Sequence, residues 1–239
     1  MFFLFSGEGP TDLGLCAGGA GSCDGAGYEY GPMTVIASQI VEERHRYSFL
    51  ETGNHGFVSK GTLTDRASEL KAAKKALRLP GKKRGKETRY FFNNARVMAR
   101  IAKERETELH DEVVAVLFRD SDGTASAGRG LWPDKRQSML DGFVEERFFG
   151  GVPMIPKPKS EAWIICAVKA NSYEACEQLE DRSGNDDSPN SLKKELAEIL
   201  GGEPTRESLN SMVSHRRVDI RRIDMMSLES FRERLEEVI

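Results

Sequence analysis

The run Val113–Phe118 (VVAVLF) is apolar at every position and stops abruptly at Arg119-Asp120-Ser121-Asp122-Gly123. A half-exposed strand alternates apolar and polar residues. This one does not, so it is expected to be buried on both faces. Sheets covered on both faces are mostly parallel and need helical crossovers, which commits the chain to an α/β architecture. Residues 2–5 (FFLF) repeat the pattern and close on Ser6-Gly7, reading as a second buried strand of the same sheet.

The intervening segments supply the crossovers. Val35, Ile36, Ile40 and Val41 recur at helical spacing between Met33 and His45. Residues 46–51 (RYSFLE) read as a strand, and residues 64–79 as a helix opened by Thr64 and ended before Pro80-Gly81. Phe91, Phe92, Ala95, Met98, Ala99 and Ala102 mark a long helix over 88–108, followed by a helix over 133–149 and a fourth strand over 152–155. The order is β-α-β-α-β-α-β. Beyond Lys157, the segments SEAWIICAVK, SPNSLKKELAEILGG, TRESLNSMVS and SLESFRERLEEVI are amphipathic helices with no strands between them. The expected organisation is an α/β domain over 1–157, a parallel sheet flanked by helices, with a helical C-terminal extension over 158–239 packed on it. Glycines crowd residues 14–31, so that stretch reads as a long mobile loop, and 180–189 as an exposed polar one.

A chain of 239 residues can bury a proper core. Its 31% charged and 38% hydrophobic residues are the balance of a soluble globular protein. The net charge of -3 gives no global pull toward nucleic acid, so any such affinity has to come from a local patch. The opening MFFLF lacks a basic flank and is too short for a signal core or a membrane span, so a cytoplasmic protein without a membrane partner is expected. Cys16, Cys23, Cys166 and Cys176 do not suggest a disulfide framework and read as free thiols. A metal pair at Cys16 and Cys23 lacks a companion His.

Acidic residues sit where an open α/β sheet places its functional crevice, beyond the carboxyl ends of the strands. Glu8 and Asp12 follow the first strand, and Asp120 and Asp122 follow the apolar one. Gathered together, such carboxylates repel one another unless cations neutralise them, and hard oxygen donors suit Mg²⁺ or Mn²⁺. Each acid taken singly also fits a helix cap or a turn, Asp122-Gly123 above all.

The pattern Glu8-Gly9-Pro10-Thr11-Asp12 after the first strand, with Asp120-Ser121-Asp122 after a later one, resembles the TOPRIM domain of topoisomerases, DnaG-type primases and OLD-family nucleases. It is similar, more narrowly, to small bacterial TOPRIM-like proteins carrying an EGxTE motif, a DxD, an EAW segment and a basic tail. Here these correspond to Glu161-Ala162-Trp163, His215 to Arg222, and Ser230-Phe231-Arg232. The resemblance implies a TOPRIM-like fold in which Glu8 acts as acid/base or metal ligand, Asp120 and Asp122 hold Mg²⁺ or Mn²⁺, and Asp12 serves a second ion. It implies a metal-dependent nuclease acting on DNA or RNA, a separate ABC-type (OLD-type) ATPase partner and a role in defence against phage. A non-catalytic nucleic-acid-binding or regulatory subunit, and nucleotidyl transfer, remain alternatives. Homo-oligomerisation is compatible with all three.

In KPKSEAW, Lys157 and Lys159 are candidates to offset charge on a phosphate, and Glu161 to reach the metal from its helix start. The competing account makes Ser160 an N-cap, Glu161 a complement to the helix dipole and Trp163 core. Between Lys71 and Arg89 nine basic residues face one acid, Glu87. Lys82, Lys83, Arg84 and Lys86 are the candidate nucleic-acid contacts, against a solvated helix face. The basic run from His215 to Arg222 is interleaved with Asp219 and Asp224 and fits local ion pairs. No Ser-His-Asp arrangement and no P-loop is readable.

Overall fold

The computed structural model describes residues 1–74, 86–121 and 131–239. Its first strand, β1 (Phe2–Gly7), is buried throughout and pairs in parallel with β5 (His55–Ser59) on one side and β6 (Val113–Phe118) on the other. β6 pairs in parallel with β7 (Gly151–Met154). The sheet therefore runs β3-β5-β1-β6-β7, with β3 (Ser22–Asp24) antiparallel at the far edge. It is mixed and mostly parallel, a correction to the wholly parallel sheet expected.

Strand alternation explains why the apolar runs are continuous. Phe3, Phe5, Val114, Val116 and Phe118 face a core shared with α1 (Pro32–His45) and the C-terminal helices. Phe2, Leu4, Val113, Ala115 and Leu117 face a second core under α3 (Lys60–Lys74), α4 (Lys86–Leu109) and α5 (Trp132–Glu145). Both sides of the sheet are covered, so no position of β1 or β6 tolerates a polar residue without burying it. α4 buries Phe91, Ala95, Met98, Ala99 and Ala102 as its periodicity requires, and Gly142 of α5 lets the two helices touch. A Cβ there would lie 2.4 Å from the Phe92 carbonyl oxygen.

Residues 46–51 are not a strand. Ser48 caps a single helical turn, α2 (Phe49–Thr52), by accepting the Glu51 N–H, and the strand comes later, at β5. Its sequence HGFVS carries little strand signal, and it is placed by tertiary pairing rather than local preference. The glycine-rich stretch is folded as well: β2 (Gly14–Cys16) pairs with β4 (Tyr28–Tyr30), and β3 joins the main sheet. The cysteines expected to be free thiols are joined, Cys16 to Cys23 and Cys166 to Cys176, and no free cysteine remains. Each pair closes a short loop, the partners standing 7 and 10 positions apart.

The C-terminal helices α6 (Ser160–Val168), α7 (Leu192–Leu200), α8 (Arg206–Ser214) and α9 (Met226–Val238) share the first core with α1 and the sheet. Trp163 of α6 is fully buried and donates from its indole nitrogen to the Ser227 hydroxyl at 2.9 Å. Glu180, expected in an exposed loop, is buried and accepts the Ser227 N–H at 2.7 Å, satisfying the first turn of α9. At the sheet's edge, the Arg234 guanidinium donates to the backbone carbonyls of Phe149 and of Gly151, the first residue of β7. Among the described residues no helix is long and apolar enough to cross a membrane.

Candidate functional site

The strand order reverses between β1 and β6: the chain steps to β5 on one side of β1 and to β7 on the other side of β6. At such a switch point the crossovers lie on opposite faces, so a crevice opens at the carboxyl ends of the two strands. Glu8 leaves β1 there and Asp120 leaves β6.

Backbone geometry sets Asp12. Gly9 adopts φ +87, and its carbonyl accepts the N–H groups of both Asp12 (3.1 Å) and Leu13 (3.0 Å), closing a tight turn on the fully buried Leu13. A Cβ at Gly9 would sit 2.3 Å from Asp12 Oδ2, so only glycine fits both the backbone and its neighbour. The glycine-rich insertion leaves and returns at this point: Gly31 N–H donates to the Leu13 carbonyl (2.7 Å) and Met33 N–H to that of Asp12 (3.0 Å). The insertion thus folds outward without displacing Asp12.

Carboxylates converge on Ser160, the first residue of α6. Its hydroxyl donates to Asp12 Oδ1 and its N–H to Asp120 Oδ1 at 3.1 Å, while Glu161 Oε2 lies 3.4 Å from the same hydroxyl. Ser160 is therefore not the N-cap, a position that falls to Lys159; it is a donor shared by the acids. Burial pushes the Asp12 carboxyl up to about 6, the nearby charge of Glu161 adds to the rise, and the Ser160 hydrogen bond and Lys159 oppose it. Lys159 Nζ is 2.8 Å from Asp186. Burial works against its charge, yet the hydrogen bond to Asp186 holds its pKa above the ordinary lysine value, helped by the charges of Asp186, Asp120 and Glu161.

Glu8, Asp12, Asp120, Lys159 and Glu161 line one cleft of about 510 Å³, walled on the far side by α7 and α8. Lys157 is not among its lining residues and pairs with Asp181 at 3.2 Å. Asp122 and the basic residues Lys82, Lys83 and Arg84 lie outside the described residues. Lys86 opens α4, and its side chain lies outside them too. In the second basic run, Arg216 pairs with Glu43 and Arg221 with Asp219.

The donor set of Asp12, Asp120 and Glu161 is all hard oxygen, the chemistry that suits Mg²⁺ or Mn²⁺. Among the described residues, no group of three or more carboxylate, histidine or cysteine side chains is gathered closely enough to hold an ion. Glu8 explains part of that. It forms an ion pair with Lys60, and its Oε2 lies 3.7 Å from the guanidinium of Arg119.

Lys60 and Arg119 escape a reading of the sequence. Lys60 is separated from Glu8 by 51 intervening residues, and only strand pairing brings it alongside. Arg119 did leave a signal: it is the lone cation between six apolar residues and the acidic Asp120-Ser121-Asp122. No protein-family model, no curated protein and no solved structure matches this chain.

Proposed function

We propose that this chain is a Mg²⁺- or Mn²⁺-dependent phosphodiesterase acting on nucleic acid. The observation that supports it is the convergence of Asp12, Asp120 and Glu161 on Ser160 at the switch point, with Lys159 and Glu8 in the same cleft. Asp12, Asp120 and Glu161 would hold the metal once drawn closer together than they stand here, and the ion would supply positive charge for the phosphoryl oxygens and lower the pKa of a water. Ser160 orients two of those carboxylates. Lys159 carries a cation to the same cleft, where it offsets charge developing on a phosphate. Glu8, four residues before Asp12, would take the proton of the attacking water. The nucleic-acid substrate, the ABC-type ATPase partner and the defence role rest on the motif resemblance, and the contacts by Lys82, Lys83, Arg84 and Lys86 on the density of basic residues between Lys71 and Arg89.

The second reading is a non-catalytic nucleic-acid-binding or regulatory subunit. It is favoured by one observation: Glu8 is already engaged by Lys60 and Arg119. The two readings separate in one assay. Labelled single- and double-stranded DNA, tRNA and other RNA are incubated with the protein in Mg²⁺ or Mn²⁺, comparing wild type with Glu8→Ala and Asp120→Ala. The enzyme reading expects cleavage by wild type that falls about 100-fold or more in both variants. Retarded migration of a substrate without cleavage in either metal would sink it in favour of the binding subunit.

A further inference from the structure

We propose that Arg119 and Lys60 form an oxyanion-binding subsite for a phosphoryl group, with Glu8 as its resting counter-ion. This deepens the phosphodiesterase reading by naming the side chains that grip the substrate's phosphate, and it does not need cleavage in order to be true.

Arg119 is the first residue beyond β6 and shares the face of Leu117, so strand alternation turns it toward α4 rather than toward the carboxylates around Ser160. Its side chain is 1% exposed. The backbone N–H is used, donating to the Met154 carbonyl at 3.0 Å, but among the described residues none of the guanidinium nitrogens Nε, Nη1 and Nη2 has a hydrogen-bond partner. The guanidinium stands 5.3 Å from the centre of the Tyr90 ring, and among the described residues its one ion-pair neighbour is the Glu8 carboxylate at 3.7 Å. A buried guanidinium with its donors unmet is costly, and a planar fork of N–H groups matches the oxygens of phosphate.

The same geometry supplies a way in. The Glu8 and Lys60 side chains are 36% and 49% exposed, and Glu8 links Lys60 to Arg119. Glu8 offers one negative charge to two cations, leaving the trio with an excess of one positive charge. A phosphoryl group brings more acceptor oxygens than the single carboxylate oxygen facing Arg119. By taking the place of Glu8 it satisfies the guanidinium and keeps Lys60 paired. Glu8 is then released beside Asp12 and Asp120, so arrival of the substrate completes the acidic half of the cleft.

Inorganic pyrophosphate, titrated calorimetrically into the full chain in EDTA, tests this apart from metal binding and catalysis. Wild type is expected to bind saturably, and Arg119→Gln and Lys60→Gln to weaken binding about tenfold each, the scale of one charge-assisted hydrogen bond. Glu8→Gln is expected to tighten it several-fold, because the competing carboxylate is gone. Lys60 is half exposed, so Lys60→Gln carries the test should Arg119→Gln fail to fold. No saturable binding by wild type, unchanged binding in Lys60→Gln, or weaker binding in Glu8→Gln would each overturn the subsite. Absence of nuclease activity with this pattern intact would count against the cleavage reading alone.

Discussion

Arg96 on α4 and Arg119 facing that helix are both buried, and the protein treats them in opposite ways. Arg96, with Arg100, grips Glu146 beyond the end of α5: Nε of Arg96 donates to Oε1 at 2.6 Å and Nε of Arg100 to Oε2 at 2.8 Å. Burial raises the cost of that carboxylate, but the hydrogen bonds from Arg100 and Arg96 outweigh it and hold Glu146 below the ordinary carboxylate range. Among the described residues Arg119 has a single carboxylate in reach and no hydrogen bond from its guanidinium. The first arrangement locks two helices together. The second leaves hydrogen-bonding capacity unspent at the strand ends, which is what a ligand-binding group needs and a structural one does not.

The largest expected effect lies in the satisfied cluster. Glu146→Gln strands Arg96 in the interior and should lower unfolding free energy by about 3 kcal/mol, measured by urea denaturation. The sign with pH follows from the depressed value. Glu146 stabilises the fold above the ordinary carboxylate range, and that contribution is lost as pH falls through its lower folded-state value. The difference in melting temperature between wild type and Glu146→Gln should therefore shrink on acidification below about pH 4. An unchanged difference there would mean the cluster adds nothing.

At the strand ends, Gly9→Ala tests the backbone that sets Asp12 beside Glu8. It forces an L-residue into a left-handed turn and against Asp12 Oδ2, and should cost about 2 kcal/mol. A variant as stable as wild type would show that the turn relaxes freely. The smallest effect is the most telling, because its sign reverses. Arg119→Met replaces a poorly satisfied buried cation with a side chain of similar reach and should stabilise the protein by about 1 kcal/mol. A loss of stability as large as that of Glu146→Gln would erase the distinction between the two arginines and make Arg119 structural.

Much of the frame was legible in the sequence for a physical reason. β6 shows its full extent in VVAVLF because burial on both faces leaves no polar residue to blur the pattern. The placement of Glu8, Asp12 and Asp120 at one crevice followed from strands that topology sets side by side. What stayed hidden depends on partners distant in the chain. β5 has His55 and Gly56 in a five-residue strand, and becomes one through pairing with β1 and β3. RYSFLE alternates like a strand, yet the Ser48 cap and a left-handed Gly53 close it as a helical turn. Cys16 and Cys23 are near in sequence, 7 positions apart, but stand on β2 and β3, which belong to different sheets and whose approach no spacing rule conveys. Ser160 looked like a cap because serine before a helix usually is one; its role as donor to Asp12 rests on a residue 148 positions away.

The Arg234 bonds beside β7 have a consequence for how this molecule meets its own copies. A terminal strand with bare carbonyls is a template for another chain, and proteins blunt it with prolines, charges and brevity. Here β7 carries Pro153 and has Arg234 planted on the carbonyls of its first residue, Gly151, and of Phe149 just before it, while β3 at the opposite margin is only three residues long. The sheet is insulated against runaway growth from either side, so crowding of the folded chain is not expected to seed fibrils through its margins.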